Sequence, residues 1–240
     1  ASTVANSFKS NLSSYYASGS TPLLESYHEA VQYMRGSNLI YGNSSRGVYE
    51  NGTGSTSRNE NSNSGSRNGN TYISPITNSC QKSNIIVLTD GLPNGDSSSN
   101  NTISSLVRTG VANTQYTSCN RGYPTDGESN AGCWMPGLAE WMANNDSGPA
   151  SLTGKQTVST YTIGFGNISD TRLLQDTATY GQGKFFVTSD TSGLVSSLKS
   201  IVTDILAENT TFTTPTVSVS AYSNFGYRND LYYALFRPAE

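Results

Sequence analysis

Asn84-Ile85-Ile86-Val87-Leu88-Thr89-Asp90-Gly91 carries the strongest structural signal in this sequence. Four apolar residues follow one another without polar alternation, and three of them are β-branched. Strands buried on both faces have this pattern, and both faces are buried in parallel sheets covered by helices. The run stops at Asp90-Gly91-Leu92-Pro93-Asn94-Gly95-Asp96, which is turn chemistry throughout. The strand therefore delivers a carboxylate, Asp90, at its carboxyl end, and Gly91 lets the backbone turn away.

Working outward, the same alternation of helix and strand recurs. Ile103, Leu106, Val107 and Val111 predict a helix after the turn, and Leu138, Trp141 and Met142 predict another. Val158–Phe165 (VSTYTIGF) is a second buried strand. A short helix around 171–179 presents Leu173 and Leu174, and Phe185–Thr188 follows two glycines as a third strand. The last helix carries a wide apolar stripe of Leu194, Leu198, Ile201, Val202, Ile205 and Leu206, with Asp190 or Thr191 to cap it. Upstream, Val4, Phe8, Leu12 and Tyr15/Tyr16 have helical spacing, and Gly19-Ser20 ends that segment. Thr21 as N-cap and Pro22 at the first helical position then start a helix whose apolar face is Leu23, Tyr27, Val31 and Met34, closed by Gly36. Residues 1–207 thus read as an α/β domain with a doubly wound, mostly parallel sheet.

Two stretches depart from this pattern. Residues 43–71 hold almost no apolar side chain, and burial cannot offset the entropy of ordering them. They read as a surface insertion, mobile at least at its tip. From Thr210 the pattern becomes period two: Val217, Val219 and Ala221 alternate, and a Gly/Asn turn at 224–230 leads into Leu231–Phe236. Residues 208–240 read as a β-hairpin extension toward a following domain.

Composition limits the function. Only 13% of residues are charged, the net charge is −3, and Ser, Thr, Asn and Gly dominate with 15 Tyr. This polar, uncharged and aromatic surface points to secretion. It gives no basic footprint for nucleic acid, and no apolar run is long enough to span a bilayer. The chain opens without Met or a leader pattern, which suggests a mature product or an internal piece. Cys119 and Cys133 bracket a loop (113–136) rich in Gly, Asn and Pro, where a local disulfide is plausible; Cys80 is left over, and all three reduced is the alternative. The single histidine, His28, lies mid-helix on the packing side. There is no G-x-S-x-G elbow and no phosphate-binding glycine loop, so an enzyme is not expected. Trp141 reads as core, and Trp134 as an exposed contact.

In open α/β sheets the ligand site lies at the carboxyl ends of the strands. Asp90 is at such an end, and the Thr21 hydroxyl opens a helix after a Gly-Ser loop that reaches the same crevice. A hydroxyl and a carboxylate are hard oxygen ligands suited to Mg²⁺, Mn²⁺ or Ca²⁺. The bland readings are a turn aspartate for Asp90 and a helix cap for Thr21. Asp96 is a possible second-shell carboxylate. Asp96-Ser97-Ser98-Ser99-Asn100 follows no strand of its own and reads as a polar loop.

Ser20-Thr21-Pro22-Leu23, Ile85–Pro93 and Tyr161-Thr162-Ile163-Gly164-Phe165-Gly166, in that order, resemble a von Willebrand factor A domain over about 1–207. The resemblance implies that Thr21 and Asp90 belong to a metal-ion-dependent adhesion site. Ser79-Cys80-Gln81-Lys82, Leu138-Ala139-Glu140-Trp141 and the tail from Val217 to Pro238 are similar to the PilY1/PilC family of bacterial type IV pilus tip proteins. That resemblance implies an extracellular, pilus-tip location, adhesion to a host or abiotic surface, minor pilins of the tip complex as partners, and a β-propeller after this chain. It implies, as an alternative, a structural, priming or mechanosensing tip domain with metal incidental. The chain departs from the family in one respect. The Asp-x-Ser-x-Ser segment that opens the family's metal site is not found before Thr21, which suggests that the first strand lies outside this chain, along with a partner for Cys80.

Overall fold

The computed structural model describes residues 6, 20–41, 48–49, 55–56, 64–110, 115–119, 121–127, 129–208, 212–215 and 233–236. The helix expected over 1–16, the end of the helix expected at Val111 and the alternating run 217–221 lie outside them.

The elements in chain order are helix α1 (Leu23–Arg35), two short ladders β1 (Val48–Tyr49) with β2 (Ser55–Thr56) and β3 (Arg67–Asn68) with β4 (Thr71–Tyr72), then β5 (Ser83–Thr89), α2 (Asn100–Gly110), α3 (Met135–Asn144), β6 (Val158–Phe165), α4 (Arg172–Tyr180), β7 (Gln182–Thr188), α5 (Thr191–Glu208), β8 (Phe212–Pro215) and β9 (Tyr233–Phe236). The structure is α/β: β5, β6 and β7 form a parallel sheet in that order, with helices on both faces.

β6 is the central strand of the three, and its residues Thr160 to Gly164 are all buried. Its register aligns Ile86 with Tyr161 and Leu88 with Ile163. These four side chains therefore share one face of the sheet. The opposite face, which includes Ile85 and Val87, packs into a large core with Leu24, Tyr27 and Val31 of α1, Ile103 and Val107 of α2, and Met135, Leu138 and Met142 of α3. Tyr27 Oη and Thr160 Oγ1, 2.5 Å apart, tie α1 to β6 inside it.

Among the described residues, the first face is covered by α5. Leu194, Ile201 and Ile205 pack on Tyr161, Ile163 and Phe186. Asp190 caps this helix, its Oδ1 accepting from the Gly193 N–H at 2.8 Å. The Lys184–Asp204 ion pair at 2.7 Å holds one shoulder of α5 over β7. At 3.6 residues per turn, Val195, Leu198, Val202 and Leu206 occupy the other shoulder, turned toward β5, and all four are exposed. Ile86 and Leu88 beside them are 40% and 52% exposed, against 8% for Ile85. The reading of this strand as buried on both faces is corrected: among the described residues, α5 reaches only as far as β6.

Other differences are local. β7 begins at Gln182, not after the glycines. Gly183 lies so close to the Thr160 backbone that a Cβ has no room there, so this glycine belongs to a strand contact and not to a turn. Residues 64–71 of the polar insertion are tied down by main-chain bonds: Leu39 N donates to Asn70 O, and Tyr72 N, just past the insertion, to Ser37 O, both at 2.9 Å. The Tyr72 hydroxyl adds a 2.6 Å bond to Glu29. In the tail, β8 pairs antiparallel with β9, so the strand at 233–236 takes 212–215 as its partner.

Candidate functional site

β5 ends at Thr89, and Thr89 Oγ1 accepts from the Gly91 N–H at 3.3 Å, folding the chain back at once. Asp90 is exposed at this bend and makes no hydrogen bond or ion pair among the described residues. The Thr21 loop runs alongside. Thr21 Oγ1 lies 3.8 Å from where a Cβ on Gly91 would stand, and Asn94 N donates to Thr21 O at 3.1 Å. Ser20 presses against Gly95, which has a left-handed φ of 63° and no space for a side chain. The structure thus brings the Thr21 hydroxyl and the loop carrying Asp90 together at the carboxyl end of the sheet.

Thr21 does not cap α1, and Pro22 is not inside the helix. Pro22 occupies the N-cap position, and no side chain within the segment caps the helix. The capping acceptor comes from far along the chain. Asp96 is fully buried and accepts from Leu24 N at 2.8 and 2.9 Å and from Glu25 N at 3.1 Å. Among the described residues no side chain preceding Leu23 caps the helix, so the Asp96 oxygens take amides that the first turn leaves open. Asp96 is therefore a structural anchor between the Asp90 loop and α1. Its carboxyl is pushed up to about 9, first by burial and then by the facing Glu25 carboxyl.

Glu25 is buried as well and returns the contact: its Oε1 accepts from Ser98 N at 2.7 Å. His28, next on this face, is 3% exposed, with Nδ1 2.9 Å from Ser99 Oγ. Burial holds its pKa below the ordinary imidazole value. Tyr41 Oη is 2.8 Å from the same Ser99 oxygen. Sequence reasoning placed none of these contacts, because each joins residues about 60–70 positions apart. Glu25 sitting in a helix with few charges on its apolar side was the available cue.

A third segment leans on the site. Asp126 N donates to Pro93 O at 3.1 Å, and Gly132 N donates to Asp96 O at 3.0 Å. A disulfide joins Cys119 to Cys133, with Cα atoms 5.2 Å apart. The Tyr116 hydroxyl bonds the Cys133 carbonyl, and buried Glu140 accepts from Gln115 N and Tyr116 N at 2.8 and 2.9 Å. Trp134, expected as an exposed contact, is 5% exposed; it stacks edge-on to Tyr116 and lies under the Arg108 guanidinium. The loop is fixed to α4 by Arg121, which lies 5.1 Å from both the Tyr116 and Tyr180 ring centres, and by a 2.5 Å bond from Tyr123 to Asp176. Cys80 is free and exposed.

The donor set bears on a metal. Among the described residues no three of His, Cys, Asp and Glu converge into a metal-binding group. Thr21 and Asp90 are hard oxygen donors of the right kind for Mg²⁺, Mn²⁺ or Ca²⁺, but two such donors leave most of the coordination shell to water and to a bound partner. Asp96 is committed to the α1 amides. Among the described residues no helix is long and apolar enough to cross a membrane. No family model, curated protein or solved structure matches the chain.

Proposed function

We propose that this chain is a binding module of the von Willebrand A type from a bacterial type IV pilus tip protein, adhering to a surface ligand through a divalent cation held by Thr21 and Asp90. The observation that carries the reading is the meeting of the Thr21 loop with Gly91, immediately after an exposed, uncommitted aspartate at the carboxyl end of a parallel strand. Ligand sites of open α/β sheets lie at that end. The cation would act as a Lewis acid that accepts an acidic group of the ligand into its shell. The chain's own residues would supply a carboxylate, a hydroxyl and the clamped loops that hold them in place. Minor pilins of the tip complex and a host or abiotic surface are the partners this reading calls for, and its location is extracellular.

Titration with Mn²⁺ alone tests the site. The expected result is weak binding that Asp90→Ala abolishes and Thr21→Ala weakens. Binding that both substitutions leave unchanged sinks the assignment. A second reading is a structural or force-bearing tip domain without a functional metal; it draws on the lack, among the described residues, of a cluster of acidic ligands. It predicts surface attachment that EDTA does not alter, whereas the adhesion reading predicts its loss.

A further inference from the structure

We propose that Asp96 holds a proton that it donates to Glu25, that this contact clamps the Thr21 loop to the Asp90 loop, and that loss of the Asp96 proton in alkali loosens the candidate site. Both side chains are buried, and their backbone contacts are reciprocal. Asp96, on the Asp90 loop, takes the amides of Leu24 and Glu25, while Glu25 takes the amide of Ser98 on that loop. One atom is left over: Glu25 Oε2 is buried with no donor among the described residues. A buried carboxylate oxygen without a donor is costly, and two facing carboxylates cannot both stay ionised out of water. A proton on Asp96 removes both difficulties, since it supplies the missing donor and cancels one charge. The elevated pKa of Asp96 has the same origin.

Among the described residues no cation acts on the pair. From α1, His28 and Glu29 lie further along the helix, and Arg35 is felt at His28. Tyr41 lies near Glu25, Asp96 and Glu29 and is itself pushed up by burial. The start of α2 contributes Ser99, and the cysteine loop approaches through Gly132. The clamp holds irrespective of metal; only its effect on a bound cation rests on the function proposed above.

The sign follows from linkage. A carboxyl whose folded pKa is raised contributes stability that is complete below the unfolded value, about 3.9. That contribution is lost as pH rises toward the folded value of about 9. Glu25→Gln makes the proton unnecessary, because the amide NH₂ donates to an ionised Asp96 while its oxygen still accepts from Ser98. The melting temperature of E25Q minus that of the parent chain should therefore widen by at least about 4 °C from pH 5 to pH 9. His28 titrates in both proteins, and because the Glu25 charge is the smallest of the influences on it, most of its titration cancels in the difference. Parallel curves overturn the proposal. In the parent chain, hydrogen exchange corrected for intrinsic rate should show protection of the Leu24 and Ser98 amides falling about tenfold over that range relative to Ile163, with no such fall in E25Q. Protection that stays constant in the parent also overturns it. Neither readout uses a metal, so a failure of Mn²⁺ to bind at any pH counts against Thr21 and Asp90 as ligands and leaves the clamp to be decided by exchange and melting.

Discussion

The two faces of the parallel sheet are finished to different degrees. On one, α1, α2 and α3 bury Ile85 and Val87 beneath a continuous core, and a disulfide loop closes over the edge of that layer. On the other, one helix among the described residues covers β6 and β7, and Ile86 and Leu88 remain exposed, as does a row of aliphatic residues on α5. The same strand thus contributes equally apolar residues to a dry core and to an open step. An apolar run shows that a strand is able to be buried on both sides. Whether it is buried depends on how far its covering helices reach.

Substitutions can break or sharpen this contrast. The largest effect is expected for Leu138→Ala or Ile163→Ala, both at fully buried positions, at about 2–5 kcal/mol in denaturant titration. A loss below about 1 kcal/mol at Ile163 would show that the α5 face is loosely packed even where it is covered. Next comes the disulfide: replacing Cys119 and Cys133 together by Ser should cost about 3 kcal/mol for a bridge spanning 14 positions. If the closed face instead keeps its full stability, the loop is held by Arg121, Tyr116 and Glu140 without the bridge. His28 should give a smaller, pH-dependent loss. Its folded pKa is depressed, so the neutral form's contribution is complete above about 6.5 and declines as pH falls below it. His28→Gln should remove this acid-side slope in melting curves recorded from pH 7 to pH 5. Leu88→Ser should change stability least, by less than about 0.5 kcal/mol. A cost comparable to Ile163→Ala would mean that the open step is covered in solution.

Much of this architecture is written locally. The apolar run 85–88, the strand 158–165 and the stripe 194–206 follow from side-chain period alone, and Gly36 ends α1 in a left-handed conformation as a helix-closing glycine does. The site is less legible, because its supports are tertiary. Ser-Thr-Pro before a helix favours Thr21 as the cap by every local rule, yet the helix starts at Leu23 and takes its acceptor from Asp96. The Gly181/Gly183 pair reads as preceding the third strand because sequence does not show that Thr160 lies against Gly183. Trp134 looks exposed beside a polar loop, whereas Tyr116 and Arg108 enclose it. The place of Asp90, exposed just past the carboxyl end of β5, was legible because the apolar run stops at Asp-Gly.

The remote cap on α1 also sets an order of events. Leu24 and the carboxylate that receives its amide are 72 positions apart. At roughly 5–20 residues per second, a ribosome makes that stretch in about 4–14 s. During this interval the nascent helix has its first-turn amides open to water or to any passing acceptor. Its amino-terminal end becomes native only once the 91–99 loop has emerged, so a pause in translation between these points would prolong the vulnerable state, and early truncation products would carry a frayed helix.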